Sequence, residues 1–148
     1  MALDPAFKPL VGSWTLRSLW RTYSDTGERV ESFGPNPNGR MVLDAGGRIM
    51  FLLMRRDRPV PVTDADHREL FNGMIAYTGH VRSDGPGRFI TTVDLTWQPT
   101  WTGDLLRFYE LAGDAMKLAS PENRYPAITG RPGRTELEWV REHPSSNL

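Results

Sequence analysis

The chain contains no cysteine. That excludes a disulfide framework, thiolate nucleophiles and cysteine-ligated zinc together. It also lacks a surplus of either charge, because 18 Lys and Arg stand against 18 Asp and Glu. Proteins that grip nucleic acid or an anionic membrane through their field need a positive excess, so neither partner is expected. Long apolar runs are missing as well. The longest, Ile49 to Met54, has six residues, against roughly 20 for a membrane-spanning helix. The opening Met1-Ala2-Leu3-Asp4-Pro5 puts an acid where a signal peptide carries its basic and apolar regions, so a cytoplasmic location is expected. No fixed-period repeat or block of like charge interrupts the 148 residues. That length implies one domain over residues 1–148, with its core at about 10–141.

What is present is punctuation. The 14 Gly and 12 Pro are spread along the chain and separate short segments of alternating polarity, the pattern of an all-β meander. In the first segment, Ser13 to Tyr23, alternation puts Trp14, Leu16, Ser18 and Trp20 on one face and Arg17 and Arg21 on the other. Asp25-Thr26-Gly27 makes a turn, and Gly34-Pro35-Asn36-Pro37-Asn38-Gly39 a rigid loop. Arg40 to Asp44 and Arg48 to Met54 flank Ala45-Gly46-Gly47 as a hairpin, which Pro59 and Pro61 terminate. One helix follows. Thr63 caps it, Asp66 completes a capping box, and Leu70, Phe71 and Met74 fall on one stripe. Further strands are predicted at Ile75 to Arg82, Arg88 to Trp97, Asp104 to Leu111, Ala115 to Ser120 and Arg134 to Arg141, with a long connector from Pro121 to Gly133.

The sum is eight antiparallel strands with one short helix after the third. A sheet of that size removes its reactive edges by closing on itself, and an eight-stranded barrel has room inside for side chains or one small ligand. A cone-shaped α+β fold of the nuclear-transport-factor type is the rival. It opens on long helices, whereas this chain opens on a strand.

Several routes to chemistry have little support. His67, His80 and His143 lie far apart and outside any H-x-H or H-E-x-x-H setting, so no metal site is expected. There is no Gly-x-Ser-x-Gly elbow, and Gly130-Arg131-Pro132-Gly133 is too short for a phosphate loop. Arg55, Arg56 and Arg58 surround Asp57 in a proline-bearing loop, which reads as a solvated rim before it reads as an anion grip.

Gly12-Ser13-Trp14 opening the first strand and Trp139-Val140-Arg141 ending the last resemble the lipocalin architecture. More specifically, the chain resembles the bacterial and fungal family of stand-alone lipocalin-like domains. The stretches that carry this are Leu10 to Trp14, Phe33-Gly34-Pro35-Asn36-Pro37, Gly47-Arg48-Ile49, Met54 to Pro59, Tyr77-Thr78-Gly79, Pro99-Thr100-Trp101 and Leu137-Glu138-Trp139. The resemblance implies a small barrel with an internal cavity and no metal, whose floor is closed by the Trp with the basic side chain packed across it. Related barrels include cyclases and isomerases of natural-product pathways as well as plain binders. Met50, Phe51 and Leu52 depart from the small or polar residues expected on that strand and imply a greasier pocket.

The interior then carries the function. Thr92, Asp94 and Thr96 share one face, and they line a lumen or face solvent according to the register. If Asp94 and Arg107, on adjacent strands, both point inward, they pair near Tyr77 and Tyr109. Such a polar spot suits orienting a carbonyl or carboxylate, and burial there shifts a carboxylate toward proton abstraction. The expected catalytic set is therefore Asp94 as base or orienter, with Arg107 and Tyr77 or Tyr109 polarising an oxygen. The expected ligand-binding set is Ser18, Trp20, Met50, Met54, Thr92, Trp97, Trp101 and Trp139, since indoles and thioethers suit flat or irregular apolar ligands. On this reading the protein binds a small apolar or amphipathic ligand, as monomer or homodimer. It catalyses an isomerisation, cyclisation or elimination without a cofactor. The alternative is a passive carrier or sensor of an apolar metabolite. An interaction module is a third reading, although no exposed apolar stripe stands out.

Overall fold

A computed structural model describes residues 3–124 and 131–143; positions 125–130 of the connector expected from Pro121 to Gly133 lie outside the described residues. In chain order the elements are β1 (Gly12–Tyr23), β2 (Arg29–Val30), β3 (Asn38–Leu43), β4 (Arg48–Met54), α1 (Asp64–Asn72), β5 (Met74–Ser83), β6 (Arg88–Thr96), β7 (Gly103–Ala112), β8 (Ala115–Ala119) and β9 (Gly133–Arg141). Neighbours pair antiparallel in sequence order from β3 to β9, and β1 pairs with both β3 and β9. Eight strands thus close into a barrel, with the two-residue β2 added to one end of β1. The helix follows β4, the third strand of the barrel proper.

Local chemistry explains the turns. The Asp44 carboxylate accepts the N–H groups of Gly46 (2.8 Å) and Arg48 (2.9 Å), which closes the β3–β4 hairpin. At α1 the Thr63 hydroxyl accepts from Asp66 N and the Asp66 carboxylate from Thr63 N, completing a capping box. The helix nevertheless buries no side chain: Phe71 is exposed, and Met74, expected on its stripe, begins β5.

One end of the barrel is packed solid. A 3-10 turn at Pro5–Leu10, absent from the sequence-based expectations, drives Phe7 and Leu10 beneath the strands. Phe7 meets Phe89 edge-on at 6.1 Å between ring centroids. Trp14 Nε1 donates to Leu10 O (3.0 Å). Arg141 stacks over the Trp14 ring at 4.3 Å and donates to Val11 O (2.9 Å) and Pro9 O. The Gly-x-Trp and terminal Arg therefore seal the floor, and Gly12 (φ 135°) keeps a Cβ out of the path of Arg141. Only about 10 Å³ stands clear of the walls by a water radius among Phe7, Leu10, Met41 and Phe89.

Two bulges decide what faces inward. On β1, Leu16 opposes Trp139 and Ser18 opposes Glu138, so Arg17 has no opposite number on β9. The extra residue reverses the alternation. Beyond it Leu19 and Arg21 are buried, while Trp20 lies outside with Arg29 stacked 4.1 Å above its ring. The expectation that Ser18 and Trp20 share the inner face with Trp14, leaving Arg21 outside, is thereby corrected. On β6, Thr78 opposes Leu95 and Gly79 opposes Val93, so Asp94 is the extra residue. Thr91 and Val93 pack inward, but Leu95, two positions on, is 69% exposed.

Candidate functional site

Above the sealed floor the barrel is hollow. Its walls are Leu19 of β1, Phe51 and Leu53 of β4, Ile75 and Tyr77 of β5, Arg107 of β7, Leu118 of β8, and Thr135 and Leu137 of β9. Ser32, Phe33, Trp101, Ser120 and Asn123 complete the lining from the connecting segments. The hollow has about 590 Å³ of empty space counted out to its mouth, of which about 50 Å³ stands clear of the walls by a water radius. That is a slot rather than a chamber. Phe51 and Tyr77 pack at 4.8 Å and 31°, Tyr77 and Trp101 at 5.6 Å and 41°. The slot therefore has a continuous aromatic side.

Among the described residues Arg107 is the one charged side chain in this lining. Alternation on β7 turns it inward opposite the buried Phe89, and its Nη1 donates to Leu106 O (2.8 Å). Burial pushes the Tyr77 phenol above its usual range, and the nearby positive charge of Arg107 opposes part of that rise. Tyr77 is therefore a protonated hydrogen-bond donor at neutral pH. Together the two offer a cation and a hydroxyl to an oxygen of a bound molecule.

A second polar cluster holds the opposite wall. Arg21 is 1% exposed. It donates to Asn123 Oδ1 (3.0 Å), Asn123 O (2.8 Å), Thr135 Oγ1 (3.1 Å) and Arg131 O (3.3 Å). The Ser120 hydroxyl accepts from Thr135 N (3.0 Å) and Asn123 Nδ2 (3.2 Å). Arg21 itself stays behind the surface of the cavity, but it sets the positions of Asn123 and Thr135, which do line it.

Of the residues expected from sequence, the structure brings Tyr77, Arg107 and Trp101 together at the cavity. Tyr109 shares the inward face of β7 but packs on Phe89, 5.8 Å between ring centroids. Trp139 is buried in the wall against Phe51 at 6.1 Å. Trp97 stands between Phe71 and Trp101, with Nε1 donating to Phe71 O (3.1 Å).

The others lie elsewhere. Asp94 is on the outer face, bound through both carboxylate oxygens to Arg48 (3.1 and 2.9 Å), so the inward Asp94–Arg107 pair does not form. Alternation along β6 places it there: Thr91 and Val93 pack inward, so Thr92 and Asp94 point out. Its hydrogen bond with Arg48 holds the Asp94 carboxyl below the ordinary carboxylate range. Thr92 is also outside, accepting from Arg82 (2.6 Å) and donating to Asp104 (2.8 Å). Met50 is 54% exposed. It shares the outer face of the β3–β6 region with Val42, Leu52 and Leu95, so an exposed apolar surface is present where none was expected. Met54 alternates with the inward Leu53, and its sulfur lies 3.2 Å from Arg58 Nη1.

Leu19, Phe33, Ser120, Asn123 and Thr135 were not anticipated from the sequence. Phe33 stands at the head of the Gly-Pro-Asn-Pro loop, which was a usable signal. Leu19 was concealed by the bulge at Arg17, and Ser120 and Asn123 by lying at and beyond the end of β8, where no periodicity operates. Among the described residues no three His, Asp or Glu side chains gather to hold a metal ion, and no helix is long and apolar enough to cross a membrane.

A family model described as a lipocalin-like domain matches residues 11–142. No curated protein matches the chain. Among solved structures, the crystal structure of Rv2717c from M. tuberculosis is similar at 15% identity and a TM-score of 0.46, covering 95% of this chain and 99% of that one.

Proposed function

The chain belongs to the lipocalin-like domain family, and from that premise we propose that the open half of its barrel holds one small, largely apolar molecule as a carrier or sensor, without a cofactor. The observation that supports this most directly is the slot between Phe51, Tyr77, Trp101 and Leu137, apolar on most sides with convergent polar groups at Arg107 and Tyr77. The proposal includes a one-domain organisation and a cytoplasmic location. The first is supported by a sheet continuous from β1 to β9, the second by the absence of cysteine.

Holding is favoured over turnover by the protonation states of the lining. Arg107 stays charged, the Tyr77 phenol is pushed up, and the carboxylate expected to act as base sits outside against Arg48. A second reading keeps the cofactor-independent isomerisation, cyclisation or elimination. Its support is the placement of Arg107 and Tyr77 on adjoining parts of one cavity, where both can stabilise negative charge developing on an oxygen. The described lining includes no Asp, Glu or His, so such a reaction would have to proceed without a carboxylate or imidazole base from the wall.

Native mass spectrometry of the protein purified gently from its own host tests the binding proposal. One small-molecule adduct per chain is expected, absent from a folded Leu137→Trp variant whose indole fills the slot. A wild-type protein that carries nothing and takes up nothing from host extract refutes it.

A further inference from the structure

We propose that the molecule held in the barrel is an organic monoanion: a compact, flat apolar body bearing a single carboxylate that docks on Arg107 and Tyr77. This rests on the cavity-binding proposal above and goes further by naming the chemistry of the ligand. Arg107 brings a positive charge into a lining whose other described residues are uncharged. Among the described residues its polar contacts are with Leu106 O and the Tyr77 side chain, neither of which carries a negative charge at neutral pH. Positions 125–130 read Tyr-Pro-Ala-Ile-Thr-Gly and contain no acid to supply one. A guanidinium against apolar walls is poorly solvated, and its desolvation is offset only by a counter-charge with good geometry. The described residues do not provide that counter-charge at the cavity, so an anionic guest completes the site.

The geometry also selects the kind of anion. The bond from Nη1 to Leu106 O anchors the guanidinium and leaves its remaining N–H groups for a carboxylate, which an Arg fork matches in plane. The Tyr77 hydroxyl adds a neutral donor at the same spot. A single cation matches a single negative charge, so a dianion or a zwitterion would bury charge without a partner. The body must be short because the floor is filled by Phe7, Leu10 and Trp14, and a long acyl chain would have nowhere to run. It should be flat because the free space is a slot beside Phe51, Tyr77 and Trp101.

The test uses 2-naphthoate and its neutral isostere 2-naphthamide as probes, titrated by calorimetry into wild type, Arg107→Gln, Arg107→Lys, Leu137→Trp and the outer-face control Asp94→Asn. Wild type and Asp94→Asn should prefer naphthoate by about tenfold or more, the range expected for a hydrogen-bonded charge. Arg107→Gln should bind the two probes equally while retaining its affinity for the amide. Arg107→Lys should keep a reduced preference, since an ammonium supplies the charge without the fork. Leu137→Trp should bind neither. Equal binding of both probes by wild type, abolished in Leu137→Trp, overturns the monoanion and leaves the cavity proposal standing. Binding of neither probe to wild type overturns the flat monoanion, and undiminished binding to Leu137→Trp overturns both proposals. If Arg107→Gln does not fold, the wild-type ratio and Arg107→Lys decide the outcome between them.

Discussion

Arg17 and Arg21 stand four residues apart on one strand, and simple alternation makes them equivalent. The structure makes them opposites, which a pair of substitutions can measure. Arg21→Met replaces a buried guanidinium by an apolar chain of similar length and removes the donor from Asn123 Oδ1, Asn123 O, Thr135 Oγ1 and Arg131 O. A buried acceptor left without a partner costs about 1–3 kcal/mol. Asn123 O still accepts from Gly133 N (2.8 Å), and the Arg131 end is close to solvent, so roughly half of the loss should persist. The expected destabilisation is about 3 kcal/mol. For a chain of this length that lowers Tm by about 6–12 °C. Arg17→Met, at an exposed position, should fall within about 0.5 kcal/mol of wild type. Urea unfolding followed by tryptophan emission, with thermal melts alongside, gives both values. Affinity for the cavity ligand should also fall in Arg21→Met, because Asn123 and Thr135 lose their support. Equal losses for the two variants would refute the inward placement of Arg21 and the parity reversal that produces it.

Asp94→Asn should leave ligand binding at neutral pH unchanged in calorimetry, and lost binding would return Asp94 to the site. Its carboxyl is depressed in the folded state by Arg48, so its contribution is present above the ordinary carboxylate range, near about pH 4, and disappears as pH falls through the folded-state value. The variant should therefore show a shallower acid limb in urea midpoints measured across pH, whereas an unchanged limb would remove Asp94 from that linkage. Gly79→Ala places a Cβ 2.2 Å from the backbone oxygen of Thr92 at the β5–β6 bulge. It should cost about 1–3 kcal/mol or more, as overpacking against an unyielding backbone does. A melt within a degree of wild type would mean that the bulge is not held as described.

Much of the architecture was legible because it is written in local chemistry. Val42 and Leu43 opposite Met50 and Ile49, with Asp44 and Gly47 between them, read as a hairpin from their residue types, and they form one. Thr63 and Asp66 read as a capping box and make both bonds. The site was legible only where alternation runs unbroken. Tyr77, Arg107 and Tyr109 keep their phase and face inward. Trp20 lies after a bulge and turns out, and so does Leu95 beyond Asp94; Asp94 itself keeps the outward phase of Thr92. Met50 shows a different failure. It sits amid apolar neighbours on β4, where every side chain from Ile49 to Met54 is greasy and polarity gives no clue to which face is buried.

The hairpin turns, the capping box and the lack of thiol chemistry follow from the sequence alone, because each depends on neighbours within a few residues or on composition. The sealing Trp and Arg were legible only through the resemblance to lipocalin-like domains. Which side chains meet inside was decided by the closed barrel. A bulge is a mismatch between two strands distant in sequence, β1 with β9 and β5 with β6. Its position depends on how the whole sheet must bend to close, so it puts Arg21 in the wall and Leu95 on the outside, a choice that no window of consecutive residues contains.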